Sequence, residues 1–384
     1  MTRVGRSRTR TKTFRGKRKR FDSNGTIQED TPVVVNFLDQ CNDSHGRPVI
    51  PSSLVSRQYK NVLRLDGFAE NTSNNQRYVY EEVPFFQGSG EIENTTTLPV
   101  KTGWELDLIA GTNPSRPVLT PPTFLQDILT LPALLRETGQ ALTRPRNEWS
   151  PRQAANAYLA AKFGWFPMID DLRKLMDLQS YVLKRTKELN QLYSGQGLRR
   201  RLKFNEDTKV YKQSTSWAHY GTGKVTVPIS VTVSKQQWGT IRWHPTEPPQ
   251  YLPGDDRMHN LARRLVLGLT VEGMAKGAWD VIPWTWLLGW FTNLGKYTLY
   301  HSNTVPAGWS DCCLMNRVVL TATPGSVIVV GAKQHKLNAS GQRTFESKNR
   351  LVGSGTVLPG FNMPFLDMSR LSVLGALFAQ RFMR

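Results

Sequence analysis

The chain has 384 residues, 39% of them hydrophobic and 21% charged, which is enough apolar material for a substantial core and enough length for two domains or one elongated one. Lys and Arg number 50 against 30 Asp and Glu, for a formal net charge of +20 and an isoelectric point near 10.1. These values exclude a wholly disordered chain and favour a polyanionic partner: RNA, DNA or an anionic membrane surface.

Residues 1–20, MTRVGRSRTRTKTFRGKRKR, hold ten cations and no acid. They are Arg3, Arg6, Arg8, Arg10, Lys12, Arg15, Lys17, Arg18, Lys19 and Arg20. So polar a stretch packs no core of its own, and the reading is a basic arm, disordered until a polyanion neutralises it. A secretory signal needs an apolar segment after the basic start, and none follows. A mitochondrial presequence needs amphipathic helical spacing, and after Val4 only Phe14 is large and apolar. Nucleic-acid contact is therefore preferred over a plain solvated tail.

Residues 21–120 mix short β-like runs, Val33–Leu38 and Tyr78–Val83, with many Gly, Pro, Asn and Thr, which predicts irregular antiparallel sheet. Cys41, Cys312 and Cys313 are odd in number and lack CxxC spacing, so neither a disulfide framework nor a zinc site is indicated, and a reducing cytoplasm fits. Cys41 with His45 is a thin metal pair, and a structural cysteine is the better reading. No cofactor or metal is expected.

From Thr120 the character becomes helical. Leu125, Ile128, Leu131, Leu134 and Leu135 recur at helical spacing, with Pro132 as a break or kink and Gly139 as the stop. Ser150-Pro151 reads as an N-cap followed by a first-turn proline. Gly164 and Pro167 in FGWFP should interrupt that helix, and the run from Met168 to Tyr193 should restart it. Asp170 and Asp171 then sit in the first turn, where they complement the helix dipole. Arg199, Arg200 and Arg201 follow the stop at Ser194-Gly195.

Residues 205–243 return to a period of two. Val225, Val227, Ile229, Val231 and Val233 alternate with Thr, Pro and Ser, a half-buried strand that Pro228 should place at an edge or bulge. The preceding GTGK, Gly221–Lys224, lacks phosphate-loop spacing and feeds a strand, so it reads as a hairpin turn. Asp255-Asp256 opens a helix expected to reach Gly277, with Leu261, Leu265 and Leu269 spaced along it. Arg317–Thr323 and Val327–Lys333 flank Pro324-Gly325 as an expected hairpin. The last stretch puts Leu371, Leu374, Phe378 and Phe382 on one helical face.

Between these lies AWDVIPWTWLLGWF, Ala278–Phe291, with four tryptophans, Trp279, Trp284, Trp286 and Trp290. A membrane helix needs about 20 mostly apolar residues. From Gly277 to Leu294, Asp280, Pro283, Thr285 and Asn293 interrupt the run, so no membrane span is expected. Stacking platforms interleave aromatics with Lys and Arg, and this stretch has neither. A buried core segment is the favoured reading.

The segment Trp279–Phe291 resembles the signature of the maturation proteins of small positive-strand RNA bacteriophages, the leviviruses. KFGWFPMIDDL, Lys162–Leu172, is similar to a second segment of that family, and the stretch from Pro364 is similar more weakly. Two departures stand out: Gly289 where the family often has Asp, and Thr285 at a Ser position. Phe163, Gly164, Trp165, Pro167, Trp279, Pro283, Trp284, Trp286 and Trp290 would then form a structural core motif.

The pattern of elements predicts an α+β protein, elongated, with an antiparallel sheet region joined to a helical bundle, both built from discontinuous segments. The expected division is a disordered arm at 1–20; a β-rich, host-facing region at 21–120, 205–250 and 305–360; and a helical, RNA- and capsid-facing region at 121–200, 255–300 and 362–384. The resemblance implies a single-copy virion protein, made in the bacterial cytoplasm. It would bind single-stranded genomic RNA, sit among coat proteins, attach to a bacterial pilus and accompany the RNA into the cell. A cellular RNA-binding protein, or an added lysis role through inhibition of cell-wall synthesis, is the alternative.

The residues expected on RNA are the ten arm cations and Arg199–Arg201. Arg263-Arg264 and Arg173-Lys174 are further candidates. Ten arm charges on single-stranded RNA would give a log-log salt slope near −7 if all met phosphate. No catalytic constellation is recognisable: GxSxG and HExxH are absent and the six histidines are scattered, so an enzyme is not expected.

Overall fold

In the computed structural model the described residues are 4–45, 52–72, 75–85, 98–118, 135–136, 150–219, 223–249, 255–270, 274, 294–301, 303–354 and 368–382. Mixed helices and one large antiparallel sheet make the chain α+β.

The strands are β1 Val4–Phe21, β2 Ile27–His45, β3 Leu54–Tyr59, β4 Leu63–Asn71, β5 Arg77–Phe85, β6 Leu198–His219, β7 Gly223–Pro245, β8 Ala307–Pro324, β9 Ile328–Val330, β10 Ala332–Gly341 and β11 Arg343–Val352. Their order across the sheet is β10-β4-β5-β1-β2-β3-β11-β8-β7-β6, with β9 beside β7. The helices are α1 Trp104–Thr112, α2 Pro151–Ala160, α3 Phe166–Met176, α4 Leu178–Leu192, α5 Asp256–Val266, α6 Leu294–Tyr300 and α7 Met368–Phe382, with a π-helical turn at Ala161–Trp165 between α2 and α3.

Two compact units emerge, each assembled from three stretches of chain. The first holds Met1–Trp104, Arg201–Thr240 and Asp311–Ser354; the second holds Glu105–Arg200, Ile241–Ser310 and Gly355–Arg384. Residues 1–20 thus join the sheet unit, and α1, inside a stretch read as β-rich, belongs to the helical unit.

The sheet unit is built on alternation. Val225, Val227, Ile229, Val231 and Val233 are all at most 2% exposed. They join Leu63, Leu65, Tyr78, Tyr80, Leu320 and Phe345 in one core. Each such aliphatic side chain contributes about 1.5–3 kcal/mol, so the alternation outweighs the amide lost at Pro228, worth about 1 kcal/mol. Pro228 does not mark an edge, since β7 lies inside the sheet. It follows the short β7–β9 pairing, and its carbonyl accepts the Gly325 N–H at 2.7 Å. The hairpin expected around Pro324-Gly325 gives way to longer-range pairing: β9 pairs with β7, and β10 pairs with β4.

The largest correction concerns the basic arm. Residues 4–21 are not disordered but form β1, paired antiparallel with β2 from Val4↔His45 to Phe21↔Ile27. The physical reason lies in β2, which supplies Glu29, Asp30, Asp39 and Asp43. An internal acidic strand does what an external polyanion was expected to do. Packing adds to it: Phe14 meets Phe37 edge-on at 5.8 Å, and Phe37 stacks on Tyr59 at 4.7 Å.

In the helical unit, Ser150 caps α2 in a full capping box: its Oγ accepts from Gln153 N at 3.3 Å and Gln153 Oε1 accepts from Ser150 N at 3.1 Å. Gly164 and Pro167 do not interrupt the helix. The chain widens into the π-turn, where Phe166 N–H bonds to Ala161 O, and the helical backbone runs on through Pro167, whose position near the start of α3 makes its missing donor tolerable. Because α3 already starts at Phe166, Asp170 and Asp171 lie beyond its first turn and pair with Lys174 at 2.6 and 3.1 Å. Helix α5 begins at the cap Asp255 and ends at Leu267, short of the end expected from sequence, because Gly268 takes the left-handed conformation at φ +64°. Its buried face is Met258, Ala262, Leu265 and Val266, packed on α4. Helix α7 packs on α2, with Tyr158 Oη 2.7 Å from Ser372 Oγ. It buries Val373, whereas Leu371 and Phe378 of the expected apolar face are 46% and 56% exposed.

The helix expected over 120–139 lies outside the described residues except for Leu135 and Arg136, both helical. The tryptophan segment Trp279–Phe291 and the stretch from Pro364 to Asp367 also lie outside them.

Candidate nucleic-acid interface

Strand β1 sorts its residues by parity. Arg6, Arg8, Arg10 and Lys12 share one face, while Ser7, Thr9, Thr11 and Thr13 share the other. Two residues of strand advance about 6.8 Å, so the first face carries an evenly spaced cationic ladder. Across the ladder stand Asp43 opposite Arg6, Cys41 opposite Arg8 and Asp39 opposite Arg10.

Beside it, an open groove of about 400 Å³ is lined by Arg8, Thr9, Arg10, Lys12, Asp39, Gln40, Cys41, Gln58 and Lys60. Four of these side chains are cations and one is a carboxylate. Lys60 was not foreseen from sequence. It lies just past β3, and only the β2–β3 pairing, Gln40–Asn42 against Val55–Arg57, brings it to the ladder.

Most β1 cations already have a partner. Arg6 Nε and Nη2 grip Asp43 in a bidentate pair at 3.0 and 2.9 Å, an interaction that raises the Arg6 pKa above its ordinary value. Arg8 Nη2 reaches Asp43 Oδ2 at 3.1 Å and Cys41 Sγ at 3.3 Å. Lys12 Nζ lies 2.8 Å from Asp39 and donates to the Tyr59 carbonyl at 2.5 Å.

Nearer the turn, Arg18 and Arg20 share Glu29 at 2.8 and 3.8 Å, Lys19 pairs with Glu81 at 2.6 Å, and Lys17 approaches Asp30 at 4.0 Å. The Thr31 hydroxyl and Arg18 hold the Glu29 carboxyl below its usual range. Among the described residues Arg10 and Arg15 have no carboxylate partner, and both are exposed. Nine cations in β1 face four carboxylates in β2, an excess of five positive charges. Exposed pairs of this kind are each worth about 0–1 kcal/mol, so exchanging a carboxylate for a phosphate costs little.

On β11 Arg343 is fully buried, with its guanidinium carbon 5.2 and 5.5 Å from the Phe37 and Tyr59 ring centroids. Lys60 Nζ is also 2.9 Å from Glu346, so β11 anchors one of the groove's cations. Neither residue carries a local sequence signal; both are recruited by strand order.

The other candidates are dispersed. Arg199 is exposed, Arg200 pairs with Glu188, and Arg201 lies 4.2 Å over the Trp238 ring. Arg263 and Arg264 are exposed in the last turn of α5, where they complement the helix dipole. Arg173 is exposed, and Lys174 is held by its two aspartates. Arg3 lies outside the described residues.

Of the motif residues, Phe163 is 42% exposed and Trp165 half-buried, while the backbones of Gly164 and Pro167 lie in the π-turn and α3. Trp279, Pro283, Trp284, Trp286 and Trp290 lie outside the described residues.

Among the described residues no cluster of three or more His, Cys, Asp or Glu could hold a metal, and no helix is long and apolar enough to cross a membrane. Compared with known protein families and with curated proteins, the chain matches no family and no curated protein.

Proposed function

We propose that this chain is a virion maturation and attachment protein that binds single-stranded genomic RNA through the cationic face of β1. The observation carrying the RNA reading is the ladder Arg6–Arg8–Arg10–Lys12 bordering a groove that Lys60 completes. The viral reading is supported by the two motif segments, Lys162–Leu172 and Trp279–Phe291.

In this account the protein is a single copy among coat proteins, attaches to a bacterial pilus and enters with the RNA, and its helices form a bundle. Because β1 belongs to the sheet unit, RNA contact is assigned to that unit along with host attachment.

Deleting residues 1–20 would remove a strand from the sheet, so substitutions at exposed side chains are the cleaner test. Changing Arg8, Arg10 and Lys12 together to Gln should make the log-log salt slope for single-stranded RNA shallower by about 2, at roughly 0.7 per phosphate contact. An unchanged slope in a folded variant would remove β1 from the interface.

A further inference from the structure

We infer that the helical unit holds a second anion site, for a phosphate group, formed by Arg116, Arg185 and Arg200 around Glu188. Helix α4 presents Arg185 and Glu188 on one face, 3% and 7% exposed. Arg185 donates Nη1 to the Pro114 carbonyl and Nη2 to the Arg116 carbonyl, both at 2.9 Å, which fastens the chain after α1 to α4. Arg116 turns its own Nη1 to the Asn113 carbonyl at 3.0 Å. Glu188 Oε2 is 3.4 Å from Arg185 Nη1 and is ion-paired with Arg200. The Nε of Arg200 is buried without a hydrogen-bond partner among the described residues.

Two guanidiniums, those of Arg185 and Arg200, therefore share one carboxylate, and Arg116 lies near enough to feel the charges of all three groups. Burial first, then repulsion from Arg185 and Arg200, pulls the Arg116 pKa down to about 9, and burial lowers Arg185 as well. A buried lysine could relieve such crowding by shedding its proton, but arginine does not.

The excess of two positive charges calls for an anion with several acceptor oxygens. A phosphate group matches both the charge and the forked geometry of the donors. Arg116 is only partly buried, so its guanidinium is the group an incoming ligand meets first, with Arg200, Arg185 and Glu188 as the floor and the buried Arg200 Nε as the donor left over. The site uses no β1 residue and stands whether or not that strand binds RNA.

The test is calorimetric titration of the full chain with inorganic phosphate against chloride at matched ionic strength. Saturable binding is expected, weakened about tenfold in Arg116→Met and in Arg200→Met, the scale of one charge-assisted hydrogen bond. Glu188→Gln, which removes the competing carboxylate, should bind phosphate more tightly. Displacement of phosphate by a short oligoribonucleotide would identify an RNA phosphodiester as the natural ligand, and lack of displacement would identify a free phosphate anion. No binding beyond the chloride control, unchanged affinity in both arginine variants, or weaker binding in Glu188→Gln would each overturn the site.

Discussion

Replacing Glu346 by Gln probes how the sheet tolerates its charge. Glu346 lies on β11, only 3% exposed, with Arg317 Nε at 2.7 Å, Lys60 Nζ at 2.9 Å and Lys348 Nζ at 3.1 Å. Burial alone would raise its pKa, but hydrogen bonds from the three cations outweigh burial and lower it from 4.5 to about 2. A carboxylate depressed in the folded state contributes stability that is full above the unfolded value and is lost as pH falls from about 4.5 toward 2.

At about 1.4 kcal/mol per pH unit, the ceiling is roughly 3 kcal/mol. The cation side chains are 40–51% exposed, so water rescues them in part, and about 2 kcal/mol is expected at pH 7. Urea unfolding of both proteins from pH 7 to pH 2 is the assay. The variant should be the less stable at pH 7, with the gap closing as the wild-type carboxyl protonates. A gap that stays constant down to pH 2 would refute the electrostatic origin of the effect.

Asp39→Asn and Asp43→Asn should increase RNA affinity at low salt by releasing Lys12, Arg6 and Arg8, while loosening the β1–β2 pairing in hydrogen exchange; filter binding that shows weaker retention would contradict the exchange of carboxylate for phosphate. Ser150→Ala removes the capping box of α2 and should destabilise the helical unit by about 1 kcal/mol in thermal unfolding. Gly67 sits at φ +113° at an irregularity in the β4–β5 register, and an added Cβ would run into the Lys336 carbonyl. Gly67→Ala should therefore release β10 from β4, read as loss of amide protection in Lys336 and Leu337.

What could be read from the sequence was local and periodic. The alternation from Val225 to Val233 specified a strand and its buried face, and Ser150-Pro151 with Gln153 specified a helix start, because both signals lie within a few residues. The basic arm was misread for the opposite reason. Its fate depends on Asp39, Asp43 and Glu81, which are distant in sequence and whose pairing with β1 is a property of strand order. The same holds for Lys60, which reaches the groove only through β3, and for Arg343, which meets Phe37 and Tyr59 only through β11. Gly164 and Pro167 look like breakers by composition, yet the helical backbone runs through both by way of a π-turn that is invisible to propensity. Phe378, expected on a packed apolar face, is exposed, since spacing identifies an apolar face but not whether another element covers it.

The most direct test of the central claim is ultraviolet crosslinking of the full chain to single-stranded RNA, with the crosslinked peptides mapped by mass spectrometry. The account expects crosslinks concentrated in Val4–Phe21 and around Gln58–Lys60, diminished when Arg8, Arg10 and Lys12 are changed to Gln. Crosslinks that avoid both stretches and survive those substitutions would contradict it.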